Sequence, residues 1–412
     1  MRKKSRIIVI GGGASGLVAA IMARRNGSEV VILERMDRVG KKILASGNGR
    51  CNLTNSDMNL NRFHTSCPKF VAEVLNHFDV HHTLQFFEKI GISYTIQDGG
   101  KIYPMSLQAS SVLDVLRYEI ERLGVEEICE AEVIEIKKNN QGFILFLKDG
   151  RKIFGDKVII ATGGKSAPNL GSNGSGYDLA ISLGHRIIHP FPALVQLTLD
   201  AWFLKRLKGV KFEGRVSVIK NSDTIQMENG EILFTEYGIS GPPILQLSRK
   251  VGELLMHGKV NPYLSIDSYP DLSEAELNTM IYARFSRCPE KPIEFSFVGM
   301  INKRLIPVIL KEAKIEDTKR SCSKMSSTEI KSIINTLKDW KIPIKGTRSW
   351  MQSQVTAGGI DVADINPNTM ESKLIKGLYF AGEIVDVDGD CGGFNLQWAW
   401  SSGHIAGENA SK

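Results

Sequence analysis

No two cysteines in this chain sit two residues apart. The six, Cys51, Cys67, Cys129, Cys288, Cys322 and Cys391, are scattered. That excludes the spacing of a zinc site or a dithiol redox centre, so no metal is expected, and it fits the reducing cytoplasm. Long apolar runs are missing too. The run at residues 7–10 is only four residues before glycines follow, too short for a secretion signal or a membrane span. Internal repeats and low-complexity tracts do not occur. Neither does a basic run: 52 basic and 45 acidic residues leave a net charge of +7. So dispersed an excess suits a binder of anionic cofactors, and no nucleic-acid partner is expected from it. What remains is an ordinary globular composition, 42% hydrophobic and 24% charged over 412 residues. It allows two or three domains with a core that needs no staple.

The first recognisable unit is "RIIVIGGGASGLVAAIMARRNGSEVVILER". A buried strand over Arg6–Ile10 runs into Gly11, Gly13 and Gly16, and a helix over Ala14–Arg25 follows. Gly11 permits the tight turn, Gly13 lets backbone approach a pyrophosphate, and Gly16 lets the helix pack on the strand. Ala14 and Ser15 open the helix, whose N-terminal N–H groups favour an anion. A second strand, Glu29–Leu33, ends at Glu34, eighteen residues beyond Gly16, where an acid can bond a ribose 2′-hydroxyl. Arg35 follows it. A dinucleotide with a free 2′-hydroxyl is expected, FAD or NAD.

Later segments favour FAD. A strand over Lys157–Ile160 leads into Ala161, Thr162 and Gly163, in the manner of the return strand of glutathione-reductase-type folds. Another, Leu378–Phe380, precedes Gly382, Glu383 and Asp386, which resembles the C-terminal flavin motif whose carboxylate region contacts the ribityl-phosphate side. Then "GDCGGFNLQWAW" starts a helix behind bare glycines. Gly393 lets the helix start approach a flat ring, and the N–H groups of Phe394, Asn395 and Leu396 are expected at its N1–C2=O edge, where reduced flavin is anionic. Trp398 and Trp400 read as core.

These motifs, with "GKKILASGNGRCNLTN", "ATGGKSAPNLGSNGSGY", "GEILFTEYGISGPPIL", "VTAGGI" and "GGFNLQWAWSSG", resemble the HI0933-like bacterial flavoproteins over nearly the whole chain. The resemblance implies FAD and redox chemistry. Similar proteins include 3-dehydro-bile-acid Δ4,6-reductases and aminoacetone oxidases, so it implies an apolar, carbonyl-containing substrate such as a steroid-like enone, or else a small amine. A non-catalytic flavin sensor or RNA-modification accessory is a further alternative. Many members carry a histidine where this chain has Glu236, so that residue's role is not carried over. A carboxylate there can donate a proton only if burial raises its pKa.

The segment 40–55 is rich in small and polar residues, unlike a core helix. Lys41 and Lys42 are expected near phosphates, and Ser46, Gly47, Asn48, Asn52 and Thr54 near the flavin ring. Arg50 is the candidate clamp for an anion or carbonyl; Cys51 reads as packing. Val133 holds the backbone position that meets the adenine in similar folds. His185 and His404 read as caps or satisfied residues at helix ends. No second strand-and-glycine motif occurs, so NAD(P)H, if it is the reductant, binds transiently. The expected fold is α/β: a Rossmann-like FAD-binding domain of the glutathione-reductase type at 1–189 and 349–412. Inserted at 190–348 is a β-barrel with a helical bundle at about 271–340; a turn is expected at Glu228, Asn229 and Gly230.

Overall fold

Strand β1 (Arg6–Ile10) carries four consecutive apolar residues, and all four are buried. An apolar run covered on both faces belongs in the middle of a parallel sheet, and that is its place in this computed structural model, which describes residues 4–256, 258 and 262–412. Helix α1 (Ala14–Arg25) follows the glycine turn and stops at Asn26, with Gly27 in the left-handed region at φ +94°. β2 (Glu29–Leu33), β3 (Glu126–Ile128), β4 (Lys157–Ile160) and β5 (Leu378–Phe380) complete a parallel sheet in the order β5-β4-β1-β2-β3. Two of its neighbouring strands, β4 and β5, are more than 200 residues apart in sequence.

Helix α2 (Phe394–Ala410) has twelve of its seventeen residues buried. A helix covered nearly all round is a core element, and α2 packs along α1. Its two indoles are fully buried and hydrogen-bonded: Trp398 donates to the Gly382 carbonyl at 3.0 Å and Trp400 to the Leu53 carbonyl at 2.9 Å. Gln397, immediately before the first of them, accepts from Thr54 Oγ1 at 2.6 Å and donates to Thr83 Oγ1 at 2.8 Å. The helix is thereby fixed to the segment 40–55 and to Thr83, both more than 300 residues upstream of it. All these elements belong to one compact unit, the chain through Pro192 together with Ser353–Lys412.

The other unit is Ala193–Gln352. Its strands Leu197–Leu199, Gly238–Ser240, Asp223–Phe234, Lys211–Lys220, Tyr263–Asp267 and Trp340–Thr347 close a barrel in that order. Val216, Val218, Leu264 and Ile342 fill it. Helices Glu274–Arg287 and Ser327–Lys338 each open with a capping box, Ser273 with Glu276 and Ser326 with Glu329, which satisfies two otherwise orphaned N–H groups per helix. The expected turn at Glu228, Asn229 and Gly230 is not one. Asp223–Phe234 is an unbroken strand in which Gly230 pairs with Gly214. The chain reverses instead at Asn221 and Ser222, both with positive φ (51° and 73°), the conformation that a two-residue hairpin needs.

Candidate active site

The nucleotide end of the site is built where β1, β2 and β4 finish. Gly11 has φ +100°, and a Cβ there would lie 2.5 Å from the Ala161 carbonyl oxygen; only glycine fits this turn. Gly13 caps α1, and nothing lies within 4 Å of where its Cβ would be, so backbone is open to a ligand on that side. Gly16 lies against the Gly11 carbonyl. Glu34 is 9% exposed; its carboxylate accepts from the N–H groups of Gly12 and Met36, each at 2.8 Å. It therefore braces the glycine loop as well as facing a small cavity that Gly11, Arg35, Val133 and Thr162 share. Five expected nucleotide contacts, from four separate segments, converge there. Ser15 is different: its hydroxyl bonds the Ala381 carbonyl. Arg35 donates to the carbonyls of Gly171 and Pro168.

The second end lies between the loop 46–52 and the start of α2. Gly47 and Asn48 are both left-handed, which turns the loop back on itself. Ser46 is tied to the Ile43 carbonyl at 2.6 Å. Asn52 is buried, and its Oδ1 has no hydrogen-bond partner. A Cβ on Gly393, whose φ is +100°, would lie 3.0 Å from that atom and 2.6 Å from the Thr54 carbonyl oxygen. An orphaned buried acceptor costs about 1–3 kcal/mol unless a ligand satisfies it. Here it sits beside backbone left bare at a helix N-terminus, whose first N–H groups have no partner within the helix. The first intrahelical bond runs from Gln397 to Gly393. A flat heterocycle with N–H donors and carbonyl acceptors fits this donor and acceptor set, so the residues present suit a flavin.

Several expected contacts are already engaged. The Thr54 hydroxyl bonds Gln397. The Asn395 side chain closes a local loop, accepting from the Gly389 N–H at 2.8 Å and donating to its carbonyl at 2.7 Å. Phe394 is buried against Phe63, and Leu396 is half-buried. Asp386 is buried, with its N–H on the Ile360 carbonyl. Neither lysine is a free phosphate cation: Lys41 pairs with Asp37 and Lys42 with Glu383. Glu383 accepts from Lys42 Nζ and Ser166 Oγ, each at 2.6 Å, and from the Thr356 N–H at 2.8 Å. Burial pushes its carboxyl up, but the Lys42 charge and the three hydrogen bonds outweigh that and hold it below the usual carboxylate range. Sequence reading missed this network. Lys42, Ser166 and Thr356 lie in quoted motifs and Glu383 follows the strand Leu378–Phe380, but no spacing rule joins residues 42, 166, 356 and 383.

Arg50 is half-buried with its guanidinium 4.8 Å from the centre of the Tyr103 ring. Burial raises the Tyr103 phenol, and Arg50 draws it partly back, so the hydroxyl keeps its proton at neutral pH. Cys51 is buried, and desolvation pushes its thiol up to about 12; it is no nucleophile. Glu236 lies in the other unit, exposed and bonded to Lys208 at 2.7 Å. That bond holds its carboxyl below the usual range, and the burial a proton donor needs is absent. His185 is satisfied by Ser372 at 2.7 Å and the Ala180 carbonyl. His404 is not at a helix end: it lies within α2, stacked on Phe78 at 4.1 Å, with Nδ1 buried and unpartnered. Among the described residues no group of three or more His, Cys, Asp or Glu could hold a metal ion, and no helix is long and apolar enough to cross a membrane.

The chain is 38% identical over 410 residues, 99% of each chain, to a 3-dehydro-bile acid delta(4,6)-reductase of Clostridium scindens. It is 32% identical to a ribosomal RNA dihydrouridine synthase of Escherichia coli, covering 96% of this chain and 95% of that one. The second likeness removes the ground for excluding a nucleic-acid partner. In fold it resembles a 3-ketosteroid delta1-dehydrogenase of Sterolibacterium denitrificans, with a TM-score of 0.53 at 13% identity over 99% of this chain and 100% of that one. The family model of the HI0933-like protein Rossmann domain matches residues 5–409. The chain belongs to the HI0933-like family, with its Rossmann-like FAD-binding fold, and is by that membership an FAD-dependent oxidoreductase.

Proposed function

We propose that the protein is an NAD(P)H-driven reductase of a carbon–carbon double bond conjugated to a carbonyl, with a steroid-like or bile-acid enone as its substrate. The observation that carries this reading is end-to-end likeness to the bile-acid reductase. Bound FAD would supply the two-electron hydride chemistry. Gly11, Gly13, Glu34 and Val133 would hold its nucleotide end; Asn52, Gly393 and the N–H groups of Phe394, Asn395 and Leu396 would hold its ring. Arg50 fits the role of carbonyl clamp: its charge, fixed over Tyr103, can orient the enone oxygen and stabilise the negative charge that grows there. Proton delivery to the α-carbon completes the reduction.

Anaerobic stopped-flow on the yellow holoenzyme tests this. NADH or NADPH should bleach it rapidly, and a 3-oxo-Δ4 bile acid should restore the colour. Bleaching by a small amine alone, with hydrogen peroxide formed in air, would make it an oxidase. Bleaching by no small donor would make it a sensor.

One observation favours a second reading, in which the conjugated bond is C5=C6 of uracil in RNA. Residues 193–352 hold 24 Lys and Arg against 18 Asp and Glu, so +6 of the chain's +7 lies in this unit. Part of the excess forms one face. Arg206 and Lys311 lie over the exposed Trp202 ring at 5.6 and 4.0 Å, and Arg304 donates to the carbonyls of Arg206 and Lys208. Arg206, Arg304 and Lys311 together suit phosphates. Mass spectrometry of ribosomal RNA incubated with enzyme and NADPH decides: saturated uridine supports this reading, and unchanged uridine beside reduced bile acid rejects it.

A further inference from the structure

The unit Ala193–Gln352 contains a cavity of about 700 Å3 along the helix Glu274–Arg287, a volume typical of small-molecule sites. Glu276, Thr279, Met280, Ala283 and Arg287 recur at three- and four-residue spacing, so they line one side of it. Phe295 and Val298, from the segment that Arg284 holds by its carbonyls, also line it. The middle is apolar and open: Met280 is 37% and Phe295 59% exposed. The ends differ. At the helix N-terminus the only acidic lining residue, Glu276, is already bonded to the Ser273 N–H and hydroxyl at 2.8 and 2.7 Å. At the other end Arg284, Arg287 and Lys291 gather. Arg284 is anchored to the carbonyls of Ser296 and Val298. Among the described residues neither Arg287 nor Lys291 is paired with a carboxylate.

We propose that this groove binds an anionic amphiphile, its negative head at Arg287 and Lys291 and its apolar body between Met280 and Phe295. A neutral lipid would leave the two cations uncompensated, and a nucleotide would leave the apolar middle bare. The site shares no residue with the flavin cleft, so its occupancy does not depend on the reductase reading. The bile-acid class proposed above is one amphiphile of this kind.

Isothermal titration of the FAD-loaded full chain with laurate, below its micelle concentration, tests the proposal. Saturable binding is expected. The double variant Arg287→Glu, Lys291→Glu should weaken it at least tenfold, as should Met280→Asp. Dodecyl maltoside, with the same chain and a neutral head, should bind at least tenfold more weakly than laurate. Equal laurate affinity in wild type and the charge-reversed variant overturns the proposal, and so does equal affinity for the two amphiphiles. Concentration-dependent dimerisation abolished by Phe295→Ser, without laurate binding, overturns it in favour of a second copy of the chain. Bile-acid reduction, measured on the same variants, should be unchanged; its absence in wild type would count against the reductase reading alone.

Discussion

The Lys42–Glu383 pair joins segments 341 residues apart, and Lys42→Met isolates what it contributes. The two side chains are 27% and 20% exposed, with Nζ and Oε2 at 2.6 Å. Removing one partner of a buried pair costs about 3–5 kcal/mol, because the other charge stays desolvated. Glu383 keeps two donors, Ser166 and Thr356, and both groups retain some water, so the lower edge applies, about 3 kcal/mol. In a unit of this size each kcal/mol moves Tm by roughly 2–4 °C. Lys42→Met should therefore melt about 6–12 °C below wild type at pH 7, by circular dichroism, with and without added FAD. The double variant Lys42→Met, Glu383→Gln removes the stranded charge and should recover more than half of the loss. A single variant within about 2 °C of wild type would refute the reasoning, since its charge would then be adequately solvated without the lysine. A double variant that melts as low as the single would place the cost in lost packing of the lysine stem.

Gly393→Ala forces a non-glycine residue to φ +100° and puts a methyl 2.6 Å from the Thr54 carbonyl oxygen. It should purify with at least tenfold less FAD at unchanged helix content, read by absorbance and circular dichroism, and full retention of FAD would count against the proposed ring site. Burial lowers His404 to about 4, against an ordinary value near 6.5, so its contribution to stability is present above pH 6.5 and is lost as pH falls toward 4. With a limiting slope of 1.36 kcal/mol per unit between the two values, going from 6.5 to 4.5 should cost about 2 kcal/mol. Urea titrations of His404→Gln should lack that component; an identical pH dependence in wild type and variant would sink the assignment. Native Cys51 should resist thiol reagents at pH 8 while its unfolded form reacts, and Cys51→Ala should keep its activity.

Legibility in the sequence followed the range of the interactions. β1, α1 and β2 were readable because apolar runs and glycine spacing act over a few residues. Asn229 and Gly230 also look like a local turn. Yet register in a closed barrel is set across strands: Lys211–Lys220 and Asp223–Phe234 must pair over their whole length, and that places the reversal at Asn221 and Ser222. The flavin-ring side was half readable. Gly393 announced a bare helix start, but nothing near Asn395 or Thr54 in sequence shows that their side chains face Gly389 and Gln397. The charge reading was incomplete for a related reason. A net of +7 over 412 residues looks diffuse, and no window near Trp202 reads as a basic arm. Folding brings Lys311 and Arg304, about a hundred residues downstream, onto the face of Arg206 and Lys208. Phosphate affinity depends on how many cations one contour of backbone can reach together, and sequence distance does not enter that count. The exclusion of nucleic acid on average charge therefore carried no physical weight, and the charge-reversing pair Arg304→Glu, Lys311→Glu measures what the face does. If the face docks RNA, this pair should weaken RNA binding at least tenfold and flatten its salt dependence while bile-acid reduction stays unchanged. Binding that keeps its full salt slope would mean that the phosphates are held elsewhere.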